Sequence, residues 1–225
     1  MSELASFLEL LADFRPQLMA GLGNTLLLAG IVSVTGLLGG IAVFYLTLHR
    51  NRMVRQLTEG YVSFFLGMPL IVLLFLMYYG LPQFDVRPSP FTVALVGFTM
   101  NVSAYNARYL ATAYGGLDQD ELMAARAQGF GEIQVFRLIT LPQVLRLSVP
   151  ALSNQVILNL KDSSVAFLIQ YAEFFSQAQD LAIRSFRFFE VYVAAGLVYL
   201  AMVSLVVWGA MYLERRYVLP GTRRP

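Results

Sequence analysis

The chain has 225 residues, of which 57% are hydrophobic and only 13% charged, about half the ~25% charge of a soluble domain, and its mean hydropathy of +0.62 points to lipid as its main solvent. A formal net charge of +2 leaves no electrostatic footprint for nucleic acid. The absence of cysteine removes disulfide and thiolate chemistry, and the single histidine, His49, beside Arg50 in a basic loop, excludes a His-rich metal site.

The first fourteen residues carry Glu3, Glu9 and Asp13 and no early Lys or Arg. A secretory signal begins with a basic region, so none is expected here; the segment reads as a short amphipathic helix lying at the membrane surface. A bilayer core needs about 20 apolar residues as helix, and five stretches qualify, at about 19–48, 61–79, 91–113, 150–170 and 191–213. In the first, Gly36, Gly39 and Gly40 form a smooth strip that allows close helix packing. In the second, Gly67 and Pro69 should bend or loosen the helix. Broken helices at membrane depth are tolerated where they line a cavity, so this segment is either passage lining or a plain proline kink.

The third and fourth stretches contain polar residues that lipid would not tolerate facing outward. Asn101, Tyr105 at i+4 and Arg108 at i+7 share one helix face, which Thr112 extends. Ionisable groups inside spans are costly and are functional candidates by default. Arg108 could hold a carboxylate through two parallel hydrogen bonds, or snorkel to the interface or pair with an acid of the same chain. In the fourth stretch Lys161 and Asp162 are adjacent, so on a helix they point in different directions and each needs its own partner. Asn154 lies seven residues before Lys161 and could donate into the bundle or into a passage.

Between the third and fourth stretches, residues 114–149 read as a short helix, a glycine turn and a second short helix. Asp118 is the expected N-cap, with acids in the first turn. Gly129 and Gly131 break the helix, and a second stretch at about 132–139 leads to Pro142. The shape suits docking into a groove of a partner; an ordinary surface loop would have the same pattern. Basic residues cluster in short cytoplasmic loops. Arg50, Arg52, Arg55, Arg126, Arg137, Arg146, Arg215, Arg216, Arg223 and Arg224 fall at alternate ends of the spans, against Arg15, Arg87, Arg184 and Arg187 at the opposite ends. The N-terminus is therefore expected outside and the C-terminus in the cytoplasm.

Several ordered motifs resemble one family. Met123-Ala124-Ala125-Arg126-Ala127-Gln128-Gly129 with Ile139-Thr140-Leu141-Pro142 resembles the EAA motif (EAA-x3-G-x9-I-x-LP) of the membrane subunits of bacterial ABC importers. Gly21-Leu22 with Thr25-Leu26 resembles the opening GL-x2-TL of such chains. Gly67, Pro69 and Leu70, followed by Tyr79-Gly80-Leu81-Pro82, resemble the second-span signature RGTPLL…YFGLP. Ser103-Ala104-Tyr105 resembles the third-span SAY, and Asn154-Gln155 with Leu160-Lys161-Asp162-Ser163-Ser164 resemble GNEF…LKDTSL. Five motifs in order along nearly the whole chain point to the polar amino-acid (histidine/glutamate/arginine-type) permeases.

The resemblance implies an all-α membrane protein of about five transmembrane helices with the type I ABC importer permease fold, N-terminus periplasmic and C-terminus cytoplasmic, forming one permease domain in the bacterial inner membrane. It implies cytoplasmic ATP-binding subunits, a second permease subunit (homologous or a copy) and an external solute-binding protein. No cofactor is expected. The EAA segment would form a coupling helix at 118–131 seated in a cleft of the ATPase, with Glu121, Met123, Ala124, Ala125, Gly129 and Pro142 as coupling residues. Asn101, Tyr105, Arg108, Asn154 and Met68 would be substrate residues of the passage. Two departures stand out: Met123 occupies the motif glutamate's place, and the RGTP signature reads Leu66-Gly67-Met68-Pro69. Arg108 reverses the charge of a family glutamate. No Walker A loop, G-x-S-x-G or H-E-x-x-H occurs, so ATP chemistry is expected on another chain. The alternative is a secondary transporter or a non-transporting membrane scaffold; a secondary carrier should show repeated halves with broken helices in matching positions, and the five stretches with one large loop show no such repeat.

Overall fold

A computed structural model describes the backbone of residues 3–217 and the side chains of residues 6–212. The side chains of Glu3, Arg215, Arg216, Arg223 and Arg224 lie outside the described residues. The described residues are predominantly helical and contain no strand. In order it forms α1 (Glu3–Thr47), α2 (Arg52–Gly67), α3 (Leu70–Phe75), α4 (Pro90–Tyr114), α5 (Gln119–Ala127), α6 (Glu132–Val135), α7 (Leu141–Asp162), α8 (Phe174–Ser185) and α9 (Phe188–Tyr217). Short π turns at Leu76–Gly80 and Phe136–Thr140 and 3-10 turns at Leu81–Phe84 and Ser163–Ile169 join them.

Among the described residues, three helical stretches are long and apolar enough to cross a membrane: Ser6–Thr47, Glu132–Ile169 and Phe188–Tyr212. The pair Arg52–Gly67 and Leu70–Phe84 makes a fourth if counted as one broken span. α4 has the length to span, at 25 residues, but Asn101, Ser103, Asn106 and Arg108 dilute its apolarity, and it is not among those that qualify on composition.

Three boundaries differ from the sequence expectation. The N-terminal segment is not a separate surface helix. It runs through Pro16 into the first span as one 45-residue helix. The second stretch is split: α2 ends at Gly67, Met68 is extended with φ −90° and ψ 125°, and α3 begins at Leu70. Proline disfavours helical backbone in the residue before it, and Pro69 imposes that on Met68. The fourth helix starts well before residue 150. From Glu132 the chain is helical to Asp162, so only the segments around Gly115–Asp118 and Gln128–Gly131 of the 114–149 region lack regular helix. Pro142 is the second residue of α7, directly after the π turn, at whose end the amide of Leu141 donates to the carbonyl of Phe136.

The chain divides into two compact units. One comprises the chain up to Val32 with Leu70–Gly97 and Leu158–Leu205. It is organised around Glu173, whose side chain is completely buried. This carboxylate caps α8, accepting from the amides of Phe175 (2.8 Å) and Ser176 (2.6 Å), and also accepts from the hydroxyls of Thr25 (3.3 Å) and Tyr199 (3.1 Å). Thr25 Oγ1 in turn accepts from the amide of Phe174 at 3.0 Å. Asn24 donates to the carbonyl of Ala172 at 2.8 Å. Gly21 lets this turn close on α1, because a Cβ there would sit 3.0 Å from the Glu173 carbonyl and 2.8 Å from Gln177 Cγ.

The other unit comprises Ser33–Pro69, Phe98–Ile157 and the chain from Val206. Its core gathers Phe44, Val62, Ala107, Leu110, Leu117 and Val144. The glycine strip of α1 meets α4 here: a Cβ on Gly36 or Gly40 would come within 2.5 Å of Val102 or Asn106, and one on Gly39 would collide with Ser103. Thr35 and Thr99 share a hydroxyl hydrogen bond of 2.8 Å. α2 is tied to α4 by Tyr61, donating to the carbonyl of Met100 (2.8 Å), and by Asn101, donating to that of Phe65 (3.1 Å).

Candidate functional site

The polar face of α4 separates into two environments. Asn101 is buried, and its amide is spent on the Phe65 carbonyl, so it holds α2 in place. Tyr105 is half-buried with its ring centroid 6.4 Å from that of Tyr109. Arg108 is exposed and lines a cavity of about 550 Å³ together with Thr47, Glu59, Ser63 and Ala111. Asn101 and Tyr105 do not line that cavity. Thr112 donates to the backbone carbonyl of Arg108 (2.9 Å) and does not line that cavity. Met68 is half-buried at the end of α2, and Asn154 is exposed on α7.

Glu59 went unnoticed in the sequence because it sits outside the apolar stretches, beside Arg55. In the structure its carboxylate lies 3.9 Å from Arg55, a loose pair with both side chains about half exposed, and it faces the same cavity as Arg108. The rest of the lining is largely apolar (Val62, Leu66, Ala107 and Ala111), and the Thr47 hydroxyl is donated to the carbonyl of Phe44, so the opposite charges of Arg108 and Glu59, with the Ser63 hydroxyl, are the cavity's means of holding a solute with both a cation and a carboxylate. Lys161 and Asp162 are both exposed at the end of α7, and neither forms an ion pair among the described residues. Ser163 turns the chain there by donating to the carbonyl of Leu160 at 2.7 Å.

The second candidate region is built on α5. Asp118 caps it, accepting from the amide of Asp120 at 2.9 Å. Asp120 and Glu121 lie in its first turn and Arg126 in its last, which matches the helix dipole at both ends. Leu122 and Ala125 are buried against Val135, with Tyr114 and Ile139 alongside. The helix ends in a Schellman motif: the amide of Gly129 donates to the carbonyl of Arg126 (3.0 Å) and that of Phe130 to Ala125 (3.2 Å). Gly129 has φ +91°, a conformation open to glycine and strained for other residues. Arg126 then clasps Glu132 with two hydrogen bonds of 3.1 and 3.2 Å, which raise the guanidinium above its ordinary pKa. Gln143 donates to Glu121 at 3.0 Å, fixing α5 against α7.

Several apolar side chains of this element are exposed, interleaved with Glu121, Arg126, Glu132 and Arg137. Met123 is 57% exposed, Ile133 68% and Leu138 59%, with Ala124 and Phe130 also exposed. Large apolar side chains exposed together with charged ones on a two-helix corner are what a protein interaction site requires. Of the coupling residues expected from the motif, Met123, Ala124 and Gly129 reach this surface, Glu121 and Ala125 serve the corner's own packing, and Pro142 is exposed at the start of α7.

Residues 33–219 match the family model described as "Binding-protein-dependent transport system inner membrane component". Among curated relatives, the chain is similar to the probable amino-acid ABC transporter permease protein PatM of Vibrio harveyi, with 36% identity covering 92% of this chain and 96% of the relative. It is similar also to the L-cystine transport system permease protein TcyL of Bacillus subtilis, with 32% identity covering 98% and 95%. Among solved structures, a crystal structure described as that of an amino acid ABC transporter with histidines superposes with a TM-score of 0.83 at 28% identity, covering 92% of this chain and 96% of the other. The permease of an inward-facing MetNI methionine ABC transporter shares the fold, with a TM-score of 0.74 at 19% identity.

Proposed function

We infer the function of this chain from its family: it belongs to the inner membrane components of binding-protein-dependent transport systems, the permease subunits of ABC importers. It is a multi-pass protein of the bacterial inner membrane. The family works with ATP-binding subunits and an external solute-binding protein, and ATP hydrolysis is assigned here to a separate cytoplasmic subunit. The substrate is a polar amino acid or a related small zwitterion, as the names of the curated relatives suggest.

The passage is proposed to run past the cavity shared by Arg108 and Glu59, and this pairing of opposite charges is the observation that carries the substrate reading. Arg108 would take the solute carboxylate and Glu59 its ammonium group, while the Ser63 hydroxyl completes the polar lining. Tyr105, Met68 and Asn154 are assigned to the same passage at other positions, and Asn101 supports its wall through Phe65. Coupling runs through the 118–131 segment: α5 and its glycine turn present Met123, Ala124 and Phe130 to the ATPase. ATP binding would draw the ATPases together, move this corner and open the passage outward; hydrolysis would reset it. A second permease subunit, homologous or identical, completes the path, with the N-terminus outside and the C-terminus in the cytoplasm.

Replacing Arg108 with Ala tests the passage. Uptake should fall at least about tenfold, the cost of one charge-assisted hydrogen bond, while recovery of the complex from membranes stays as in the parent. Glu59→Gln should lower uptake in the same way. Unchanged uptake kinetics for both variants would remove this cavity from the transport path.

A further inference from the structure

In the unit that contains Glu173, α1, α8 and α9 enclose an apolar groove of about 240 Å³. Leu18 and Leu22 form one wall, Leu181 another, and the small residues Ala178 and Ala195 leave its floor open. The charged residue in the lining is Arg15, which is exposed. Two neighbouring arginines of the same unit are already engaged: Arg184 pairs with Asp180 at 2.9 Å, and Arg187 donates to Ser6 at 2.9 Å. No ion pair or hydrogen bond engages Arg15 among the described residues.

The sequence places this arginine at a membrane boundary. Between Arg15 and His49 the chain carries no charged residue, so Arg15 is the last charge before the first span enters hydrocarbon. α1 is 45 residues long, whereas a bilayer core takes about 20, so its first turns project beyond the hydrocarbon into the headgroup layer. An apolar groove that opens beside span-forming helices, with one cation at its rim, matches an amphiphile with an anionic head and a hydrocarbon tail. A peptide would be a poor occupant, because its backbone amides would be desolvated against walls that offer no partners. The guanidinium fork suits a phosphate, which it can grip through two hydrogen bonds.

We propose that this groove binds one anionic phospholipid, with an acyl chain lying along Leu18, Leu22 and Leu181 and its phosphate held by Arg15. None of its lining residues belongs to the solute cavity or the ATPase corner. It makes the importer responsive to membrane composition.

The test is native mass spectrometry of the complete importer purified with its partner subunits and equilibrated with either phosphatidylglycerol or phosphatidylcholine. Retention of one phosphatidylglycerol per copy of this chain is expected, with phosphatidylcholine held about fivefold less, because its choline cation cancels the net negative charge that attracts Arg15. Arg15→Gln, at an exposed position, should bring phosphatidylglycerol down to the phosphatidylcholine level. Ala194→Phe, which fills the groove from its half-buried side, should release both lipids. Equal retention of the two lipids by the parent, parent-like retention by Arg15→Gln, or a protein chain occupying the groove would each overturn the proposal.

Discussion

Glu173 shows how a buried charge can organise a membrane protein. Its carboxylate has no solvent exposure and receives two amides and two hydroxyls. Replacing it with Ala leaves those donors without an acceptor, at about 1–3 kcal/mol for each that stays buried and unpaired. Glu173→Ala should therefore destabilise the chain by about 3 kcal/mol or more, and Glu173→Gln, which keeps one acceptor oxygen, by less. Thermal unfolding in detergent checks this, and an unchanged midpoint for Glu173→Ala would contradict it. The same residue marks a limit of sequence reading. Gly21 and Thr25 stand out as a recurring pattern, yet their purpose lies 148 residues further on, where Thr25 meets Glu173. No local signal links the two. Arg108, by contrast, stands out as a charge within a span, while Glu59, which lines the same cavity, looks in the sequence like an ordinary surface charge beside Arg55.

Local chemistry made α5 readable, and long-range packing made α7 hard to read. Asp118, the first-turn acids and Gly129 are signals that act within a few residues, and the structure places the cap and the turn where they point. The start of α7 is hard to place from the sequence because two prolines, Pro142 and Pro150, fall within it. In the folded chain Pro142 lies inside the helical run from Glu132 to Asp162, directly after a π turn. At α5 itself the turn is the vulnerable point. Gly129→Leu forces a side chain into positive φ, at about 1–2 kcal/mol, and tips Phe130 and Met123 out of register with any partner surface. The chain should still reach the membrane in parent amounts, while the ATPase subunit co-purifying with it drops severalfold. Retention of the full ATPase complement would count against this corner as the coupling element.

The whole molecule is a helical inner-membrane permease of the ABC importer family, and its sidedness and drive are the properties that define its work. The lack of native cysteine makes sidedness directly measurable. A cysteine placed at His49, in the basic loop, should react with an impermeant maleimide only in opened cells. One placed at Phe186, which is 83% exposed between α8 and α9, should react in intact cells; the reverse pattern would invert the proposed topology. The central claim is that this chain moves its solute only when an ATPase drives it. The most direct measurement is uptake of a labelled amino acid into proteoliposomes that contain the chain with its ATPase, partner permease and solute-binding protein. The amino acid is first chosen by screening what the binding protein holds. Uptake that needs ATP and stops when the ATPase subunit is left out is the predicted result. Equal uptake by this chain alone, without ATPase or ATP, would contradict the account and favour a secondary transporter.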